Sequence, residues 1–140
     1  MTGVAGPVPQ GLYRPATRHG SLIFTAGMTP RQDGVLKFVG PVSLGADLAL
    51  WRDAVVLACR NALLAAQGQL LAGERIAGIV SMTVYIAAES GFTSHSQLAD
   101  FASEFLLSEL GAAGVGSRTA LGVATLPGNA PVEIQLIACV

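Results

Sequence analysis

SRTALGVATLPGNAPVEIQLIACV, Ser117 to Val140, is the most strongly patterned stretch of this 140-residue chain. An apolar run from Arg118 to about Leu126, a Pro-Gly-Asn group and an alternating run from Val132 to Val140 predict a β-hairpin. Arg118 and Glu133 are its only charges. Residues two apart on a strand share a face, so Arg118, Ala120, Gly122 and Ala124 line one side, while Glu133 and Gln135 share a side of the partner strand. Small residues beside an arginine leave room for a ligand on its guanidinium. An arginine at a strand start serves equally as a solvated end or as half of a structural ion pair. Whether Glu133 faces a pocket or pairs with an arginine stays open at this level.

Outward from this stretch, Ile76 to Ala87 has the strongest strand pattern and is expected at the centre of a sheet. Val80, Met82, Val84 and Ile86 would share one face, and Ile79, Ser81, Thr83 and Tyr85 the other. Two helices flank it. One is capped by Asp47 or Ser43 and runs to about Gln67, with Gly68 as its stop and a Leu48-Trp51-Val55-Ala58-Cys59-Ala62-Ala66 stripe for the core. The other runs from about Thr93 to Leu110, burying Leu98, Phe101, Phe105 and Leu106 and ending at Gly111. His95 in its first turn reads as an exposed residue. Nearer the N-terminus, Leu12 to Arg18 and Ser21 to Ala26 form strands around a His19-Gly20 turn, and Gly27-Met28-Thr29-Pro30 breaks the second. A third strand, Val35 to Val39, follows the Asp33-Gly34 turn. Residues 1–11 read as an extended or mobile lead-in to one domain spanning residues 1–140.

The order β-β-β-α-β-α-β-β predicts an α+β fold with two helices on one face of a mixed sheet. Its other face, apolar in part, then needs a cover. Composition points the same way. Apolar residues make up 51% of the chain and charged ones 12%, about half the usual quarter, too few to coat a monomer. A homo-oligomer is expected.

Net charge is −1, and the eight basic residues are scattered, so nothing resembles the patch that neutralises nucleic-acid phosphates. Cys59 and Cys139 lie eighty residues apart in apolar runs and read as core thiols, consistent with the cytoplasm. No apolar run has the length of a membrane helix, and no phosphate loop, Cys-His metal spacing or Gly-x-Ser-x-Gly elbow occurs. Neither metal nor cofactor is expected. Arg118, Glu133, Tyr13 and backbone groups make a kit for holding a small carboxylate and activating water.

The pattern R-x-A-x-G-V-A-x-L-P-x-x-A-x-V-E-I-x-x-I-A from Arg118 to Ala138 resembles the C-terminal signature of the reactive intermediate deaminase family, also called the endoribonuclease L-PSP family. Tyr13 followed by the strand and the Ala26-Gly27-Met28-Thr29-Pro30 turn resembles its N-terminal part. The resemblance covers residues 12–140 and looks closer to a less-characterised branch. It implies a chorismate-mutase-like fold, a homotrimer with ligand clefts between subunits, and hydrolysis of 2-imino acids and their enamine tautomers to 2-keto acids and ammonia. Arg118 then matches a carboxylate-binding arginine, Glu133 a water-orienting glutamate and Tyr13 a pocket tyrosine, with Ala26, Gly27, Met28 and Ala120 also at substrate-binding positions. Four departures stand out: Ala26 replaces the usual Ser, Met28 the Gln, Ala120 the Cys, and Ser94 to Leu98 lacks the Asn. The alternative is a non-catalytic carboxylate-binding or regulatory trimer. A ribonuclease would need a basic groove that the composition lacks.

Overall fold

The computed structural model describes residues 6–140; the expectation for residues 1–5 lies outside them. Five strands form one mixed sheet in the order β1 (Ala16–His19), β2 (Leu22–Thr25), β7 (Val132–Cys139), β5 (Gly78–Ala87) and β6 (Ser117–Val123). All neighbours are antiparallel except β5 and β6. Two helices, α1 (Arg52–Gln67) and α2 (His95–Leu110), cover one face. Met82, Val84 and Ile86 of β5 and Val132, Ile134, Leu136 and Ala138 of β7 meet Ala58, Cys59 and Ala62 of α1 and Leu98, Ala102 and Leu106 of α2 in one core. Small residues on the inner stripe of α1 let it lie close on the sheet.

The expected C-terminal hairpin does not form. β6 pairs in parallel with β5, with Arg118 opposite Met82, whereas β7 lies on the other side of β5, with Glu133 opposite Tyr85. Pro127–Asn129 is one short 3-10 turn with Gly128 and Asn129 at positive φ, inside a connector that carries the chain past the end of β5. Both runs therefore satisfy their backbone groups on the central strand rather than on each other. β5 itself carries a bulge between Ile79 and Ser81, so Ile79, and not Val80, joins the buried face.

Nearer the N-terminus, β1 is shorter than expected, and β1 and β2 turn through Gly20-Ser21, since His19 pairs with Leu22. The third expected strand shrinks to Val35–Leu36 (β4), paired only with Arg31–Gln32 (β3) in a separate two-stranded ladder. Asp47 caps as expected by accepting from the Ala49 N–H at 3.0 Å, but a 3-10 turn over Leu48–Trp51 precedes α1. Gly111 ends α2 with φ +71°, a conformation that only glycine adopts cheaply.

The face away from the helices carries Leu22 and Phe24, each 37% exposed, beside Ile137 and Cys139 of β7. Among the described residues no helix is long and apolar enough to cross a membrane.

Candidate functional site

Arg118 stands on the outer strand β6 and shares the helix-covered face with Met82 and Leu136. Its Nη1 donates to Asp100 Oδ1 at 2.8 Å and Ser103 Oγ at 2.9 Å, and its Nη2 to the Ser96 carbonyl at 3.1 Å and Ser96 Oγ at 2.9 Å. Four of its five N–H groups are thus spent on α2, leaving only Nε–H. A carboxylate arriving at the fork must exchange with Ser96 and Asp100. Asp100 is 57% exposed, so water already competes for it and the exchange is inexpensive.

Ala120 and Gly122 follow Arg118 on the same face. The room expected beside them is partly filled: a Cβ at Gly122 would lie 2.8 Å from His95 Nε2. Phe92 holds the imidazole edge-on, with ring centroids 5.0 Å apart. His95 is half-buried against β6 rather than exposed. The missing side chain of Gly122 was the only sequence signal for this seat.

Glu133 points to the opposite face, because it alternates with the buried Val132 and Ile134. The two ion pairs of the described residues are Arg18–Glu74 and Arg118–Asp100, so Glu133 has no cation. Burial raises its pKa above the ordinary carboxylate value. Its side chain lies on Gly27, where a Cβ would come within 2.7 Å of Cδ and Oε2. Gly27 is fixed in turn by Met28, whose N–H donates to the Ile134 carbonyl at 2.8 Å and whose carbonyl accepts from Ile134 N–H at 2.9 Å. Ala26 donates its N–H to the Pro15 carbonyl.

Tyr13, Gly27 and Met28 line a cavity of about 260 Å³ between residues 6–13, the β3–β4 ladder and α1; Arg118, Ala120, Ala26 and Glu133 do not line it. The Tyr13 Oη accepts from Gln10 N–H at 3.0 Å. The candidate residues therefore fall into separate groups. With β5 between them and a register offset of three residues, the Cα atoms of Arg118 and Glu133 are about 14 Å apart, on opposite faces of the sheet. One chain does not bring these two side chains into one pocket.

The family model for Endoribonuclease L-PSP matches residues 4–140. This chain belongs to the endoribonuclease L-PSP family. Protein TCP17 of Trypanosoma cruzi is 31% identical over 139 residues, which is 95% of this chain and 84% of that protein. The solved structure of Atu1372 from Agrobacterium tumefaciens, a protein of unknown function, is 30% identical with a TM-score of 0.84, covering 99% of this chain and 87% of that one. A Shewanella oneidensis protein provisionally named an endoribonuclease is 26% identical with a TM-score of 0.87, covering 98% and 91%. The L-PSP family includes imine deaminases as well as the ribonuclease activity in its name. Its α+β architecture, with two helices on a mixed sheet, is the one described above.

Proposed function

We propose that this L-PSP protein hydrolyses small 2-imino acids and their enamine tautomers to 2-keto acids and ammonia, in clefts between the subunits of a cytoplasmic homotrimer. The observation that carries this reading is Glu133, a half-buried carboxylate with a raised pKa and no cation among the described residues, held against the Gly27 backbone. Such groups concentrate where proton transfer is needed. In the proposed step Glu133 takes a proton from water as the oxygen bonds to the imine carbon. As the C=N π bond breaks, Glu133 returns that proton to the nitrogen, giving the carbinolamine; it then takes the hydroxyl proton as the C=O bond forms and passes it to the nitrogen, whose C–N bond breaks to release ammonia. Arg118 of a neighbouring chain holds the substrate carboxylate, exchanging the exposed Asp100 for it. Tyr13 stands on the Gly27 side of the cleft. The partly apolar open face and the free edge of β6 supply the surface for such a ring.

The test is ammonia release from imines generated in situ by an amino-acid oxidase, comparing the unaltered protein with Arg118→Ala over several side-chain sizes. Acceleration by the unaltered protein alone supports the reading. The absence of acceleration for every substrate overturns it. A second reading, a non-catalytic small-carboxylate binder, is favoured by the four bonds that hold Arg118 on α2. It predicts saturable binding of 2-oxobutyrate with no turnover of the corresponding imine.

A further inference from the structure

The open face of the sheet places a second oxygen beside Glu133. Tyr85 is the cross-strand partner of Glu133 in the β5–β7 ladder, so the two side chains leave the sheet on the same side, with Cβ atoms about 5 Å apart. That side is the one away from the helices, because Tyr85 alternates with the buried Val84 and Ile86 as Glu133 does with Val132 and Ile134. Gly27 flanks the carboxylate from the other edge of β7, where Met28 bridges to Ile134. Glu133 therefore stands between a glycine that fixes it and a phenol.

The phenol is uncommitted. Tyr85 is half-buried, yet its Oη makes no hydrogen bond among the described residues, to Glu133 or otherwise. The one buried side-chain atom without a partner among those residues is Trp51 Nε1, so the Tyr85 hydroxyl keeps access to the space over the open face. Half-buried phenols ordinarily end on a hydrogen-bond partner. In its own row Tyr85 has Leu121 on the far side; Thr83, between Gln135 and Thr119, lies one row further from Glu133.

A water held by Glu133 has one hydrogen on the carboxylate and the other left to swing, so its lone pair is not aimed. An acceptor on the second hydrogen aims it. Two oxygens that each hold one water at about 2.8 Å are about 4.5 Å apart, close to the cross-strand spacing of these side chains.

We propose that Tyr85 is a further catalytic residue of the imine hydrolysis: its Oη accepts the second hydrogen of the water that Glu133 deprotonates, turning the lone pair toward the imine carbon. This inference rests on the deaminase reading. Tyr85 itself gains and loses no proton. The hydrogen it holds stays on the attacking oxygen through the addition and becomes the carbinolamine hydroxyl proton, which Glu133 then takes.

Steady-state kinetics of ammonia release from imines generated in situ test this with Tyr85→Phe, which deletes only an oxygen that has no bond within the chain, and with Thr83→Val, one row along the same face. Tyr85→Phe is expected to lower kcat about tenfold, the worth of one hydrogen bond, with KM within about twofold and with the urea midpoint and oligomeric mass of the unaltered protein. Thr83→Val is expected to hold kcat within about twofold. An active unaltered protein whose Tyr85→Phe variant keeps its kcat, or loses it only together with its oligomeric mass, overturns the inference and leaves the deaminase reading standing. An equal loss in Thr83→Val overturns it too. An unaltered protein inactive on every imine removes the deaminase reading and this inference together.

Discussion

Replacing Gly27 by alanine separates the proposed role of Glu133 from any structural one. The new methyl would lie 2.7 Å from both Cδ and Oε2 of Glu133, against an ordinary carbon contact of about 3.5 Å, so the carboxylate must retreat by about 0.8 Å. Gly27 is not among the glycines at positive φ, so its backbone accepts a side chain. The displaced group is the end of a flexible side chain, and moving it costs about 0.5–1.5 kcal/mol of rotamer strain. The lower entropy of an unfolded chain carrying alanine returns about 0.4–1 kcal/mol. Stability should therefore change by less than about 1 kcal/mol. Catalysis depends far more steeply on position, and a shift approaching 1 Å in a group that orients water can cost about 100-fold. Urea denaturation of Gly27→Ala should thus give a midpoint near that of the unaltered protein, while imine hydrolysis falls by one to two orders of magnitude. Activity within about threefold of the unaltered protein, in a variant of unchanged stability, would refute the assignment of Glu133 to the reacting water.

Three further outcomes follow from the packing. Trp51 Nε1 is buried without a partner among the described residues, so Trp51→Phe removes an unsatisfied donor and should change stability by less than about 1 kcal/mol in chemical denaturation; a loss above about 3 kcal/mol would contradict this. Arg18 and a backbone bond from Leu71 hold the Glu74 pKa at about 2, below its ordinary value. Its stabilising contribution is present above the unfolded-state pKa and lost as pH falls from about 4.5 to about 2, so the stability difference from Glu74→Gln should vanish over that window in acid titrations. A Cβ at Gly116 would run into the Ile79 carbonyl oxygen, backbone that cannot step aside; Gly116→Ala should cost about 3 kcal/mol or more, read as a lowered melting temperature.

Elements governed by local chemistry were legible in the sequence. The Val55 to Ala66 stripe of α1, the Gly111 stop and the alternation of β7 each depend on residues a few positions apart and appear where the pattern puts them, whereas Asp47 caps the 3-10 turn holding Leu48 and Trp51 rather than α1 itself. What stayed hidden was set by distant partners. Leu126-Pro-Gly-Asn129 has the composition of a tight turn, yet the two flanking strands prefer the central β5, and no local residue reports that choice. The bulge at Val80 shows why period-two counting failed at one end of β5: a single extra residue moves Ile79 to the buried face. The site divides in the same way. Glu133 was recognisable as the lone charge in an alternating strand. Strand order, however, decides that Arg118 faces α2 while Glu133 faces away, and Ser96, Asp100 and Ser103 carry no mark of their bonds to Arg118.

The account requires one active site to draw Arg118 from one chain and Glu133 from another, and mixing two inactive variants tests this directly. Arg118→Ala and Glu133→Gln, each inactive alone, are unfolded together and refolded at equal concentration. About three quarters of random trimers are mixed, and each of these holds one site with both residues intact, so about a quarter of the unaltered imine-hydrolysis rate should return. No recovery, in mixtures shown by mass spectrometry to contain mixed trimers, would contradict a site shared between chains.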